Sequence, residues 1–259
     1  MTQEVLRTPV PDRMLSGERE ITLSALTKVR PVHPDLQELV ERKSLPDWGR
    51  KLLLQSLADG KNIIIGGRVC SGKTTLLGAL IRERPINETM MLIDEDRELA
   101  PSFRGSPNIF SCHGDYLSTV QLIQIFQDNA PDRLAISEIR GAAAYDYLKA
   151  VNQARNARNW RGLAFTIHAE SARQIMHDFL LYIGKHPESR PRPWLTRLVG
   201  DLIDLVVYVR KYPSQDGSGR YVVDRIMSVG VDSHGDLEYE TLLSYDDDSQ
   251  RFNAPCRDR

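Results

Sequence analysis

The chain has 259 residues, 41% of them hydrophobic and 27% charged, enough for one large domain or two small ones and too balanced for a collagen-like, low-complexity or disordered class. Lys and Arg total 34 against 35 Asp and Glu, so a formal net charge of -1 supplies no global basic field, and nucleic-acid binding would need a local patch. Three cysteines, Cys70, Cys112 and Cys256, far apart and odd in number, point to reduced thiols rather than a disulfide framework or a zinc site.

The elements follow in chain order. Residues 1–30 carry Pro9, Pro11, Gly17 and many charges without periodicity, which predicts a mobile lead-in. Its first residues hold no apolar stretch of signal-peptide length, and no apolar run of the chain is long enough to cross a bilayer, so no transmembrane segment and a cytoplasmic location are expected. Helical spacing predicts short helices over 34–40 and 47–58. Asn62-Ile63-Ile64-Ile65, closed by Gly66-Gly67, is a β-branched run with no polar alternation, the pattern of a strand buried on both faces.

From there strands and helices alternate: helix 73–84, strand 90–93, helix 117–126, strand 134–136, helix 142–154, strand 163–167 and helix 172–183. Helical crossovers between apolar strands predict an α/β fold, a parallel sheet with helices on both faces. Pro187, Pro191 and Pro193 predict a loop; strands 205–209, 221–229 and 237–243, separated by turn-forming residues, predict an antiparallel meander on the sheet edge. The domain is therefore placed at 31–245, with 246–259 as a frayed tail.

Gly67-Arg68-Val69-Cys70-Ser71-Gly72-Lys73-Thr74 matches G-x-x-x-x-G-K-[ST] and lies between a predicted strand and a predicted helix, the context the motif requires. Its glycines let the backbone close on a polyphosphate, main-chain N–H groups at the helix start face the oxygens, and the helix dipole favours their charge. Lys73 would neutralise the β- and γ-phosphates of ATP, Thr74 would offer a hydroxyl to Mg²⁺, and Thr75 would follow in the cradle. A small filler is the simplest role for Cys70, although a helix N-terminus lowers a thiol pKa.

Hydrolysis also requires groups that orient water and hold a metal's water shell. Asp94-Glu95-Asp96-Arg97-Glu98 follows a buried strand, where a solvated loop is the plain alternative. Glu138 ends the next strand, where it could merely cap the following helix, and His168 ends a third. His113 and the remaining histidines show no comparable placement and are expected to be structural.

With these four segments in order, the chain resembles the type II/type IV secretion ATPases, the family of TrbB-like conjugal-transfer ATPases and pilus-retraction motors, from about Leu23 to about Arg210. The segments correspond to its Walker A loop (Gly67 to Thr74), Asp box (Ile93 to Leu99), Walker B segment (Pro131 to Gly141) and His box (Thr166 to Ala172). The resemblance implies a RecA-like P-loop NTPase, a three-layer α/β/α sandwich with a C-terminal antiparallel extension. It implies Glu98 polarising the attacking water (Asp94 and Glu95 being alternatives), Glu138 acting through Mg²⁺-bound water and His168 sensing the γ-phosphate. Arg97, Arg104 and Arg140 are candidates for stabilising developing charge. A homohexameric ring, inner-membrane partners of a secretion or conjugation machine, a peripheral membrane position and no direct nucleic-acid binding follow from the same resemblance.

The chain departs from the family in four places. The residues before Gly67 leave an N-terminal domain reduced to a remnant as the expectation. The loop interior is Arg68-Val69-Cys70, and Asp128-Asn129-Ala130 replaces the usual arginines. Before the His box, Arg155, Arg158 and Arg161 cluster with Trp160, a solvated loop or a partner-binding patch. The competing functions are a degenerate subunit that binds nucleotide with little hydrolysis and a RecA-like nucleic-acid translocase, whose signature would be salt-dependent DNA binding.

Overall fold

In the computed structural model, which describes residues 33–113, 117–155, 159–213 and 219–255, the isoleucine run becomes β1 (Ile63–Gly67) at the middle of a nine-stranded sheet. All five of its residues are buried, because strands flank both edges and helices cover both faces. The other strands are β2 (Met90–Ile93), β3 (Ile109–Cys112), β4 (Arg133–Ile136), β5 (Leu163–His168), β6 (Leu205–Tyr212), β7 (Arg220–Val231), β8 (Leu237–Asp246) and β9 (Arg251–Asn253). Their spatial order is β3-β2-β4-β5-β1-β6-β7-β8-β9. Pairing is parallel from β3 to β6 and antiparallel from β6 to β9.

The helices are α1 (Leu36–Glu41), α2 (Asp47–Ala58), α3 (Lys73–Arg82), α4 (Ala100–Phe103), α5 (Thr119–Asn129), α6 (Ala143–Ala154), α7 (Gln174–Gly184) and α8 (Arg192–Leu202). Strand residues alternate between two cores, as period-2 geometry requires. Ile64, Ile136, Phe165 and Ile167 pack with Phe126, Leu148, Phe179 and Val199 of α5 to α8. Ile63, Ile65, Leu92 and Val207 pack with Leu36, Leu53 and Leu77 of α1, α2 and α3. The sandwich and its antiparallel extension form as the sequence predicts, with an open sheet whose strand ends share one edge.

Three stretches differ from the sequence expectation. Of the prolines predicted to mark a loop, Pro187 lies in one, but Pro191 is the N-cap of α8 and Pro193 stands in its first turn, where a missing N–H costs nothing. Residues 100–112 contain α4 and β3, both of four residues and too short to show periodicity. The tail does not fray at 246: Asp246 accepts from Ser249 Oγ at 2.7 Å in a turn, and β9 returns so that Phe252 packs edge-on against Tyr245, ring centroids 4.9 Å apart. The predicted lead-in, Cys256 and Arg158 lie outside the described residues.

Candidate phosphate-binding site

The loop after β1 is shaped by backbone constraints. A Cβ on Gly67 would stand 2.3 Å from Ser71 Oγ and 2.5 Å from the Val209 carbonyl oxygen, so only glycine fits between β6 and the turn. Cys70 (φ 56°) and Gly72 (φ 98°) take left-handed conformations, and Gly72 is the N-cap of α3. The turn delivers Gly72, Lys73, Thr74 and Thr75 to one wall of a cavity of about 660 Å³, and the first N–H groups of α3 have no partner within their own helix.

Lys73 is buried, and its Nζ donates to the Arg68 carbonyl at 3.0 Å across the loop. Burial pushes its pKa below the ordinary lysine value, while the charges of Glu138 and Glu98 pull the other way. Ser71 Oγ is also buried and has no hydrogen-bond partner among the described residues. Such a cradle, with a buried cation and an unpaired hydroxyl, suits an anionic oxygen-rich ligand.

Three strand ends close the opposite wall. His168 ends β5 in register with Gly67, and Glu138 and Arg140 follow β4. Arg140 donates to Glu138 Oε2 at 2.7 Å and to Asp96 Oδ2 at 3.3 Å. His168 Nε2 lies 3.3 Å from Glu170 Oε1, and Arg68 Nε 3.0 Å from Glu170 Oε2. The loop after β2 is tied to β4 by Glu95 N–H donating to Ser137 Oγ at 3.2 Å. Asp94 does not face the cavity. It is 0% exposed, and its Oδ2 accepts the main-chain N–H groups of Leu99 at 2.9 Å and Ala100 at 2.7 Å, folding the acidic loop back on itself.

No family model matches the chain. Among curated proteins it is 34% identical over 177 residues to the type IV secretion system protein PtlH of Bordetella pertussis, covering 64% of this chain and 49% of that one. It is 28% identical over 195 residues to VirB11 of Bartonella henselae, covering 73% and 52%. Both relatives are type IV secretion system proteins, and the chain is similar to them. The chain spans about half the length of the curated relatives it matches. Solved structures share its fold: the Brucella suis VirB11 ATPase in complex with sulphate has a TM-score of 0.60 at 23% identity, covering 87% of this chain and 64% of that one. The pilus retraction motor PilT with bound ADP has a TM-score of 0.54 at 18% identity, covering 85% and 56%.

Of the family positions singled out in the sequence, Glu98, Glu138, Arg140, His168 and the loop from Val69 to Thr75 all line the one cavity. Arg68 lines a neighbouring cavity of about 640 Å³ with Glu170, Arg210 and Lys211. Arg97 and Arg104 are not among the residues lining the first cavity, and Trp160 packs edge-on against Phe126 on the far side of the sheet, centroids 5.8 Å apart. The sequence alone did not single out His33, Asp96, Ser137 or Tyr221 in this cavity. Asp96 and Ser137 stood inside recognised motifs, whereas His33 and Tyr221 arrive from α1's approach and from β7 with no local signal. Among the described residues no three His, Cys, Asp or Glu side chains converge as a metal cage. Thr74 and Glu138, which both line the cavity, offer the hard oxygen donors that Mg²⁺ takes beside phosphate and water.

Proposed function

We propose that the chain binds Mg·ATP on the Gly67–Thr75 loop and hydrolyses it as a motor subunit of a secretion, conjugation or pilus system. The observation that carries this is the convergence of Lys73, Glu98, Glu138, Arg140 and His168 on one cavity at the phosphate loop. Lys73 and the α3 N–H groups hold the phosphates; Thr74 and Glu138 hold the metal, directly and through its water shell. Bound there, Mg²⁺ neutralises charge on the phosphate oxygens. Glu98 accepts a proton from the in-line water as its oxygen bonds the γ-phosphorus and the bond to the β-phosphate bridging oxygen breaks. Arg140 meets the charge that develops, and His168 reports the γ-phosphate to β5 and the adjoining loop.

The relatives' names, all type IV secretion proteins, support a place in such a machine. Among the described residues no helix is long and apolar enough to cross a membrane. A homohexamer in the cytoplasm, peripheral to inner-membrane partners, is the matching assembly. One observation favours a second reading, a nucleotide-binding subunit with little turnover: Glu138 is already engaged by Arg140.

Calorimetry with Mg·ATP beside a phosphate-release assay tests both. Lys73→Ala is expected to abolish turnover, and Glu138→Ala to retain ATP while losing turnover by two orders of magnitude or more, roughly the scale of a lost charge-stabilising contact. Turnover unchanged by Lys73→Ala would overturn the proposal. Tight binding with negligible turnover in the unsubstituted chain, partners present, would select the second reading.

A further inference from the structure

We propose that Tyr221 on β7 is the stacking platform for the nucleobase; this rests on the nucleotide reading above. The two sides of the phosphate loop differ in chemistry. Toward β5, β4 and β2 stand His168, Glu138, Asp96 and Glu98, the acids and imidazole suited to the reacting end of a phosphate chain. Toward β6 and β7 the lining of the same cavity contributes no carboxylate and one aromatic ring, that of Tyr221. A polyphosphate laid along the loop with its reacting end at the acids sends its nucleoside toward β7.

Tyr221 is built for contact rather than for the core. It is 41% exposed on a strand whose neighbours Val222 and Val223 are buried. Its Cδ1 lies 3.5 Å from where a Cβ on Gly72 would stand, against the N-cap of α3. Lys211 Nζ sits 5.2 Å from the ring centroid and lines the neighbouring cavity, so the cation holds the ring from the side of β6. Of the two imidazoles in the first cavity's lining, His168 ends β5 on the acidic side, and His33 is buried and engaged through Nε2 with the Glu98 carbonyl oxygen at 3.0 Å. Val69, 76% exposed, adds an aliphatic surface to the same space. An exposed aromatic beside an aliphatic side chain and a phosphate cradle matches the flat π-face of a base, with purines covering more of the ring than pyrimidines.

The test compares Mg·ATP, Mg·CTP and Mg-tripolyphosphate by titration calorimetry on the full chain and on Tyr221→Ala, Tyr221→Phe and Tyr221→Trp. ATP is expected to bind about tenfold more tightly than tripolyphosphate, with CTP between them, on the scale of aromatic-base stacking. Tyr221→Ala should bring ATP down to the tripolyphosphate level while leaving tripolyphosphate binding unchanged, which also shows that the variant is folded. Phe and Trp should restore the preference. Equal affinity for ATP and tripolyphosphate in the unsubstituted chain would overturn the platform and leave the phosphate cradle standing. Equal losses for both ligands in Tyr221→Ala, or no rescue by Phe, would reduce Tyr221 to a structural residue. Failure of every phosphate ligand to bind would overturn the nucleotide reading itself.

Discussion

Arg140 and Glu138 are joined by a 2.7 Å hydrogen bond, and the same Nη2 of Arg140 reaches Asp96 at 3.3 Å, so one guanidinium bridges the ends of β4 and β2. The bond to Glu138 holds the Arg140 pKa above the usual arginine value. A cation placed this way balances the acids around the cavity and must share Glu138 with any metal. We expect Arg140→Ala to lower single-turnover phosphate release by roughly 10² to 10³ with ATP affinity nearly unchanged. Faster release in the variant would mark Arg140 as a restraint on Glu138 instead of a catalytic contact.

Asp94 anchors the acidic loop from beneath. Its Oδ2 takes both main-chain N–H groups, of Leu99 and Ala100, and its Oδ1 has no hydrogen-bond partner among the described residues. Asp94→Ala leaves two buried donors unsatisfied and should cost about 2–4 kcal/mol in urea unfolding. Asp94→Asn keeps one carbonyl oxygen for that pair and should recover more than half of the loss. Equal losses for the two variants would mean that the charge, not the acceptor geometry, holds the loop.

On the proposed phosphate loop, Lys73 should make phosphate binding pH-dependent. Its pKa lies below the ordinary lysine value because burial disfavours the charged form. An anionic ligand favours the charged form and raises that pKa, so binding takes up a proton between the free and bound values. ATP affinity should therefore decline as pH rises through the depressed pKa of free Lys73, starting below the ordinary lysine range. Calorimetry in buffers of different ionisation heats should register proton uptake there, and Lys73→Arg should show none.

Two glycines separate packing from propensity. On Gly78 of α3 a Cβ would stand 2.8 Å from His33 Cγ and 2.9 Å from His33 Cβ, whereas at Gly184, the last residue of α7, it would meet nothing within 4 Å. Gly184→Ala should stabilise by roughly 0.5–1 kcal/mol. Gly78→Ala should destabilise by about 1–2 kcal/mol despite the better helix former, since overpacking outweighs propensity. It should also lower turnover, because His33 leaves the Glu98 carbonyl. Thermal melts and phosphate release check both, and a stabilised Gly78→Ala would show that His33 yields easily.

The buried strands were legible because each is a short, mainly apolar run in a two-faced sheet: Ile63–Ile65, Met90–Ile93 and Leu163–Ile167 read directly, the buried Thr166 being satisfied by donating to the Ser137 carbonyl. β3 was not, since Ile109–Cys112 sits at the sheet edge and is only half-buried, so its sequence carries little constraint. α8 was obscured by prolines whose meaning reverses between a loop and a first helical turn.

What the sequence determined alone was local: the phosphate loop, eight consecutive residues in which Gly72 takes a left-handed conformation, and the polar groups that end each apolar strand. The tertiary structure decided which of those groups share a cavity. Parallel pairing brings β5 beside β1 and so His168 level with Gly67, while β7 reaches the same space only by folding back antiparallel along β6. Asp94 and Glu98 are four residues apart in one acidic stretch, yet one is sealed inside and the other lines the cavity, because a carboxylate that binds main-chain N–H groups turns away from solvent. Spacing in a loop carries no information on that choice; only the hydrogen bonds of the folded chain do.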